Sequence, residues 1–159
     1  MNLRSARFAD LDAATLYTLL RLRVDVFVVE QHCPYPELDG RDLEAGTVHL
    51  WLEHDGGPVS YLRVLSEPDG SARIGRVCTA RAYRGVGLSA RLVQAALDVI
   101  GDRRIVLAAQ SYLAGFYTRF GFAVAGPEFV EDGIPHLPMR RERAEDRPSR
   151  ADQGESDVV

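Results

Sequence analysis

The residues with the clearest chemical potential form an arginine-rich segment around a glycine turn. Residues 73–91 contain five arginines and no acidic residue, and residues 84–89 (Arg-Gly-Val-Gly-Leu-Ser) lie within them. Glycine lets a ligand approach the backbone closely, and the first N–H groups of a helix attract anions. Arginine side chains form bidentate hydrogen bonds with phosphate oxygens. The pattern is therefore suited to a diphosphate ligand, although the glycine spacing alone fits a solvated basic turn equally well.

The 19 basic residues of the chain are all arginines, and lysine is absent. Without lysine, Schiff-base catalysis, a pyridoxal-phosphate anchor and the usual P-loop are excluded. One asparagine and four isoleucines stand beside eighteen alanines, which is typical of a GC-rich genome. The missing lysine thus limits the possible mechanisms without identifying one.

The overall composition predicts a single globular domain. The chain has 159 residues, of which 46% are hydrophobic, and its net charge of −4 argues against a nucleic-acid binder. No apolar run is long enough for a signal peptide or a membrane span. Cys33 and Cys78 are too few for a disulfide scaffold, so we expect free thiols and a cytoplasmic location.

Alternating apolar residues predict the strands of a sheet. Three runs, at 47–54, 59–65 and 72–79, are separated by short turns, so we expect them to form an antiparallel β-meander. Further strands are predicted at residues 3–8, 105–109, 122–125 and 135–140.

Helical periodicity predicts helices before and after this meander. A first helix is predicted because the apolar positions Leu16, Leu20, Val24 and Phe27 recur every three or four residues. A second, amphipathic helix is predicted over residues 88–100, and a third one extends through Phe120. Residues 30–46 lack periodicity and predict a long ordered loop, whose length favours a functional role. The polar composition beyond residue 141 predicts a domain over 1–141 and a disordered tail over 142–159.

The glycine turn also fits the dinucleotide-binding pattern G-x-G-x-x-A through Gly85, Gly87 and Ala90. In that fold the glycines end the first parallel strand, and an acidic residue ends the second strand. Here residues 80–84 separate the strand from the first glycine, the next strand ends in Gln110, and a meander precedes the motif. A Rossmann fold is therefore excluded.

Two motifs resemble those of the GNAT superfamily of N-acetyltransferases. Residues 84–89 are similar to its acyl-CoA diphosphate motif, (Q/R)-x-x-G-x-(G/A), with Ser89 as one departure. Residues 115–122 (Gly-Phe-Tyr-Thr-Arg-Phe-Gly-Phe) are similar to its F-Y-x-x-x-G-F signature. A narrower resemblance to the ElaA-like branch rests on residues 27–35, 39–42, 74–77, 109–110 and 131–136.

The resemblance implies an α/β (α+β) fold, with a mixed, mostly antiparallel sheet of six to seven strands flanked by helices. It implies that acetyl-CoA is the co-substrate, bound at a splayed strand pair, and that no metal is required. The backbone of the last meander strand would pair with the pantetheine arm, the turn would hold the diphosphate, and Arg81 or Arg84 would add charge. The implied donor-binding residues are Val77, Cys78, Thr79, Arg84, Gly85, Val86, Gly87, Leu88 and Ser89.

The family signature implies that Tyr117 is the general acid for the departing thiolate. A tyrosine with an ordinary pKa near 10 is protonated at neutral pH and can donate a proton. The alternative is an aromatic core residue. The general base is open between Glu30 and His136, which both fall within the ElaA-like segments. Either residue could instead be structural, Glu30 by accepting from loop amides and His136 by capping a strand.

Other nucleophile and metal chemistry is excluded. An acyl-cysteine route through Cys78 lacks an evident activating partner, so we interpret Cys78 as a small core residue. Cys33 beside His32 supplies at most two metal ligands, which is too few for zinc. His49 and His54 point to opposite faces of one predicted strand, so they are poorly placed to share a metal.

The charge pattern offers a hypothesis about the acceptor. Residues 30–55 hold seven acidic residues and only Arg41 as a basic one, which suits a cationic amine, although a solvated acidic loop explains it equally. The expected partners are a small-molecule or peptide amine, with no nucleic acid and no membrane, and a homodimer is open. A non-catalytic acyl-CoA sensor is the alternative function, and DNA binding through the arginine turn is a weaker one.

Overall fold

The computed structural model describes residues 1–148 and has one eight-stranded mixed sheet with helices packed on it. The strand order is β1-β2-β3-β4-β5-β8-β6, and β7 also pairs with β8. The strands are β1 (Asn2–Ala6), β2 (Val48–His54), β3 (Gly57–Ser66), β4 (Ala72–Thr79), β5 (Ile105–Gln110), β6 (Ala123–Val124), β7 (Phe129–Glu131) and β8 (Ile134–Arg141). The helices are α1 (Ala13–Val24), α2 (Leu88–Ile100) and α3 (Ala114–Thr118), and a π-helical segment (Asp25–Glu30) follows α1 directly.

The predicted β-meander of three strands is confirmed. Strands β2, β3 and β4 pair in antiparallel fashion, and β1 pairs antiparallel with the outer edge of β2. Alternation of side chains gives this sheet two buried faces, so that Leu50 and Leu52 pack in the cluster that contains α2, whereas Trp51 packs in the cluster that contains α1. The two long helices therefore cover opposite faces of the meander.

Helix α2 follows the amphipathic prediction. It buries Leu88, Leu92, Val93, Ala96, Leu97 and Ile100 against the sheet. Burial of a large aliphatic side chain contributes roughly 1.5–3 kcal/mol, so this face alone fixes the helix strongly to the sheet. The helix ends at Ile100 and is capped by Gly101, whose φ of 70° is accessible to glycine and whose N–H donates to the carbonyl of Leu97.

The predicted first helix is present, but the apolar positions that predicted it are not its buried face. They are only partly buried, namely Leu16, Leu20, Val24 and Phe27. The helix instead buries Leu19, Leu22 and Arg23, and Val26 continues this face in the π-helical segment. The helix therefore directs an arginine into the interior, which its apolar periodicity does not indicate.

Strand β4 is bulged in its pairing with β3 and only briefly paired with β5. Between Tyr61 and Arg63 the register of β3 against β4 shifts, and Arg76 has a φ of 54° at the bulge. A positive φ costs a non-glycine residue about 1–2 kcal/mol. Strands β4 and β5 are parallel and pair only through Ala72 with Ile105 and Arg73 with Val106. The two strands separate beyond these pairs, as the expected splayed strand pair requires.

The C-terminal half differs from the prediction in two respects. The third helix, expected to extend through Phe120, ends at Thr118, because a turn with Gly121 at a φ of 85° leads into β6. The sheet has eight strands in place of six to seven, since the segment Phe129–Glu131 forms a further short strand against β8. All three of its residues are exposed, so no alternation of polarity reveals it in the sequence.

The end of the described chain continues past the predicted domain boundary. Residues 142–148 follow β8 and include a 3-10 turn at Ala144–Asp146. The rest of the predicted tail, residues 149–159, lies outside the described residues, so the division at residue 141 stays a prediction. Within residues 1–148, no helix has both the length and the apolar character needed to cross a membrane.

Candidate active site

The turn between β4 and α2 is exposed at residues 84–87 and leaves the start of α2 without a side-chain cap. Gly85 and Gly87 both have a φ of 81°, and no side chain caps the start of α2 after Gly87. A Cβ atom placed on either glycine would meet no atom within 4 Å. The free N–H groups and the positive end of the helix dipole make this turn fit a diphosphate.

The Arg84 side chain pairs with Glu30 at the end of the π-helical segment. Its Nη2 donates to Glu30 Oε2 at 2.8 Å, its Nη1 contacts the other carboxylate oxygen, and its Nε donates to the carbonyl of Thr79 at 2.9 Å. These bonds from Arg84 lower the pKa of Glu30, and the carboxylate in turn raises the pKa of Arg84. Two predicted site residues thus meet each other, in an arrangement that the sequence did not indicate.

The end of β4 is tied to the start of α2 by a chain of hydroxyl groups. Thr79 Oγ1 lies 2.8 Å from Ser60 Oγ and 2.9 Å from Ser89 Oγ, and Ser60 also donates to the carbonyl of Cys78. Ser89, which departs from the family motif, therefore joins the helix to the strand. Val77 lies between the bulge and these residues and is partly buried.

Cys78 lies within the sheet as a buried thiol. Burial raises its pKa to about 12, so the thiol is protonated at neutral pH. A protonated thiol is a poor nucleophile, which agrees with the exclusion of an acyl-cysteine route.

Tyr117 combines features of both predicted roles. The side chain is 6% exposed and makes edge contacts with Phe116 and Phe122, at centroid distances of 5.0 and 6.1 Å. Burial raises the pKa of Tyr117 to about 12, so the hydroxyl carries its proton at neutral pH. Within residues 1–148, the buried side-chain nitrogen and oxygen atoms that lack a hydrogen bond are Nε of Arg63 and Nε of Arg76. The Tyr117 hydroxyl is not among them.

His136 lies at the start of β8, opposite Gln110 at the end of β5. Its Nδ1 is 2.7 Å from the carbonyl of Ile134, and its ring stacks on Phe129 with centroids 5.7 Å apart. A carbonyl can only accept, so Nδ1 is the protonated nitrogen and Nε2 carries the lone pair. Gln110 donates to the side chain of Gln31, which brings the residue next to Glu30 to the same end of β5.

Most acidic residues of the 30–55 segment form ion pairs with arginines, a pairing that the hypothesis about a cationic amine did not include. Six of the seven contact arginines from other segments or from the same loop. The pairs are Glu30–Arg84, Glu37–Arg23, Glu37–Arg76, Asp39–Arg63, Asp42–Arg23, Asp42–Arg63, Glu44–Arg41 and Glu53–Arg4. Within this segment, Glu37, Asp39 and Asp42 join the loop to α1, β3 and β4.

A buried ionic network at the centre of these pairs was missed. Arg23 is 1% exposed and lies 2.6 Å from Glu37 and 2.7 Å from Asp42. Arg63 contacts Asp42 and Asp39 from β3. Burial opposes ionisation of Asp42, but the two arginines outweigh it and lower the pKa of that carboxyl. The only local signal was an arginine on the buried side of a helix.

The splayed strands, the uncapped glycine turn and the short aromatic helix after β5 together define an acyltransferase fold. The acetyltransferase (GNAT) domain family matches residues 17–143, which is most of the chain, and the protein belongs to that family.

Relatives and solved structures agree with this assignment. A UPF0039 protein of Mycobacterium tuberculosis is 54% identical over 143 residues, which cover 87% of this chain and 92% of that protein. ElaA of Escherichia coli is 39% identical over 140 residues, or 84% of this chain and 92% of ElaA. The crystal structure of Escherichia coli ElaA has a TM-score of 0.84 at 36% identity, and that of an acyl-CoA N-acyltransferase from Pseudomonas aeruginosa has one of 0.82 at 43% identity. Each match covers 89% of this chain and 99% of the other, so the predicted GNAT fold and ElaA-like branch are confirmed.

Proposed function

We propose that the protein is an acyl-CoA-dependent N-acyltransferase that transfers an acetyl group directly to a primary amine of a small molecule or a peptide. The proposal rests on two unpaired stretches of backbone that follow each other in the chain. They are the edge of β4 beyond Arg73, which no longer pairs with β5, and the start of α2, which has no side-chain cap. The similar Pseudomonas aeruginosa protein, described as an acyl-CoA N-acyltransferase, supports it. A cytoplasmic setting suits the two buried free thiols.

The donor-binding residues follow from these two surfaces. The backbone of Val77, Cys78 and Thr79 would pair with the pantetheine arm along the splayed edge of β4. The N–H groups from Gly85 to Ser89 would hold the diphosphate, and exposed Arg81 would add charge. Arg84 would contribute its backbone, since its side chain is engaged with Glu30 and Thr79.

The transfer itself needs three actions from the protein. A backbone N–H of β4 polarises the thioester carbonyl, and such preorganised donors contribute roughly 3–4 kcal/mol to transition-state stabilisation. The amine nitrogen attacks the carbonyl carbon and the C–S bond breaks. The Tyr117 hydroxyl then gives its proton to the thiolate, and a general base takes the proton that the amine loses.

His136 is the better of the two candidate bases. The carboxylate of Glu30 is held by Arg84, which lowers its pKa and makes it a weaker base. The imidazole of His136 is fixed through Nδ1 and leaves Nε2 able to accept a proton. We therefore assign the base to His136, and we assign Glu30 the role of holding Arg84.

The variant His136→Asn should lower kcat by roughly 100-fold at neutral pH, because asparagine can replace the Nδ1 donor but not the Nε2 acceptor. The KM for acetyl-CoA should stay unchanged, because His136 lies outside the proposed donor-binding residues. Steady-state kinetics at neutral pH measure both parameters, with Glu30→Gln as the comparison. If Glu30→Gln lowers kcat to this extent and His136→Asn does not, the two roles are reversed.

The proposed function is tested by release of the CoA thiol in the presence of amines. Purified protein is incubated with acetyl-, butyryl- or hexanoyl-CoA and a panel of polyamines, aminoglycosides, amino acids and peptides. We expect amine-dependent release that is fastest with acetyl-CoA. A preference for a longer acyl group would correct the acyl assignment, and tight CoA binding with no release for any amine would support the acyl-CoA sensor.

A further inference from the structure

The bulge in β4 lies at the boundary between its paired and its splayed part. Between the Tyr61–Cys78 and Arg63–Gly75 pairs, one residue of β3 faces two of β4, Arg76 and Val77. Pairing with β5 ends at Arg73, before the bulge. The conformation of the bulge therefore determines where the backbone of residues 77–79 lies relative to the opening between β4 and β5.

The side chain of Arg76 contacts Tyr35 and Glu37 in the loop before β2. Its Nε lies 2.6 Å from Glu37 Oε2 in an ion pair that is not a hydrogen bond. Its Nη2 donates to the carbonyl of Glu37 at 3.1 Å, and its guanidinium lies over the Tyr35 ring at 5.6 Å. Asp39 is a further carboxylate partner at 3.5 Å. Glycine would adopt a φ of 54° without strain, so the contacts of the arginine side chain offset the strain of this backbone.

The loop that contacts Arg76 is itself fixed by buried hydrogen bonds. Glu37 is 4% exposed, and its second oxygen accepts from Arg23 Nε at 2.6 Å. The Tyr35 hydroxyl donates to the same carboxylate at 2.5 Å. Arg23 also donates to Asp42, so the loop is fixed to α1 on one side and to β4 on the other.

A second contact of the same kind lies after the splayed stretch. Arg84 follows residues 77–79 and pairs with Glu30, which begins the segment that leads to Glu37. The stretch that would hold the acyl donor is thus flanked by two arginines, and both are held by acidic residues within Glu30–Glu37.

We propose that the Arg76–Glu37 contact sets the bulge and thereby positions the donor-binding backbone of β4 for transfer, which makes Arg76 and Glu37 positioning residues. This inference rests on the proposed function. It implies that Arg76 acts through the orientation of the thioester and contributes little to retention of the diphosphate, which binds at the turn beyond Thr79.

The test uses Arg76→Gly, which permits the positive φ while removing the guanidinium. We expect kcat with the best amine to fall by roughly 10- to 100-fold, because small misplacements of reacting groups cost that much. Arg76→Lys, which keeps the charge, should recover part of the loss. The affinity for ADP, a probe of the diphosphate turn alone, should stay close to that of the wild type, and urea unfolding should show that the variant is folded at the assay temperature.

Arg41→Gln is the matched control, because Arg41 lies in the same loop and pairs with Glu44 and Glu67, away from the bulge. It should leave kcat unchanged. Wild-type turnover together with an unchanged kcat in Arg76→Gly would overturn the inference and leave the proposed function standing. If the wild type shows no turnover, the proposed function fails, and the inference is then tested by the affinity for CoA. An unchanged Kd for CoA in Arg76→Gly would overturn the inference as well.

Discussion

Replacing Tyr117 with phenylalanine should lower kcat by roughly 100- to 10,000-fold, the range that a general acid contributes. The substitution removes only the hydroxyl, and the ring contacts with Phe116 and Phe122 remain. Because burial raises the pKa of Tyr117 to about 12, the wild-type side chain carries the proton throughout the neutral range. The loss should therefore be independent of pH in that range and should appear in kcat, with the affinity for CoA unchanged.

The measurement is steady-state turnover together with CoA binding by calorimetry, on Tyr117→Phe and on a matched control. Tyr17→Phe is that control, because Tyr17 is 70% exposed on α1. We expect wild-type turnover from the control. Wild-type turnover from Tyr117→Phe would instead show that Tyr117 is only an aromatic core residue, and the proton for the thiolate would come from another group or from water.

The second large effect concerns stability. Arg23→Met should lower the free energy of unfolding by about 3 kcal/mol, the lower end of the range for breaking a buried ion pair. Removing the guanidinium leaves Glu37 and Asp42 buried with fewer partners, although Arg76 still contacts Glu37 and Arg63 still contacts Asp42. These remaining contacts are the reason for expecting the lower end.

Urea unfolding measures this loss as a shift in midpoint at constant m-value. Arg21→Met is the matched control on the same helix, because Arg21 is largely exposed and lies 3.8 Å from Asp25. An exposed pair of this kind contributes at most about 0.5 kcal/mol. Equal midpoints for Arg23→Met and Arg21→Met would contradict the view that the buried network holds the loop to the sheet.

The parts of the fold that were predictable rest on local patterns. The meander strands and α2 were predicted because alternation, short turns and a helical apolar stripe are visible within windows of about ten residues. The turn at Gly85 and Gly87 was predictable for the same reason, since both glycines and the helix start are contiguous. The additional strand β7 and the end of α3 depend on short exposed segments that carry no such pattern.

The arrangement of the site was less predictable because it depends on pairs that are distant in sequence. Arg84 and Glu30 are 54 positions apart, and Arg76 and Glu37 are 39 apart. Composition shows that acidic and basic segments exist but not which residues meet. The sequence therefore suggested an acidic surface for the acceptor, whereas the carboxylates hold the loop to β4 and α1.

The most direct test of the proposed activity is the mass of the amine after reaction, measured beside the CoA thiol released in the same tube. We predict an acylated amine in an amount equal to the free CoA, with the protein itself unmodified. Recovery of the unmodified amine by a protein that binds CoA tightly would contradict the activity, and an acyl group retained on Cys78 would contradict direct transfer.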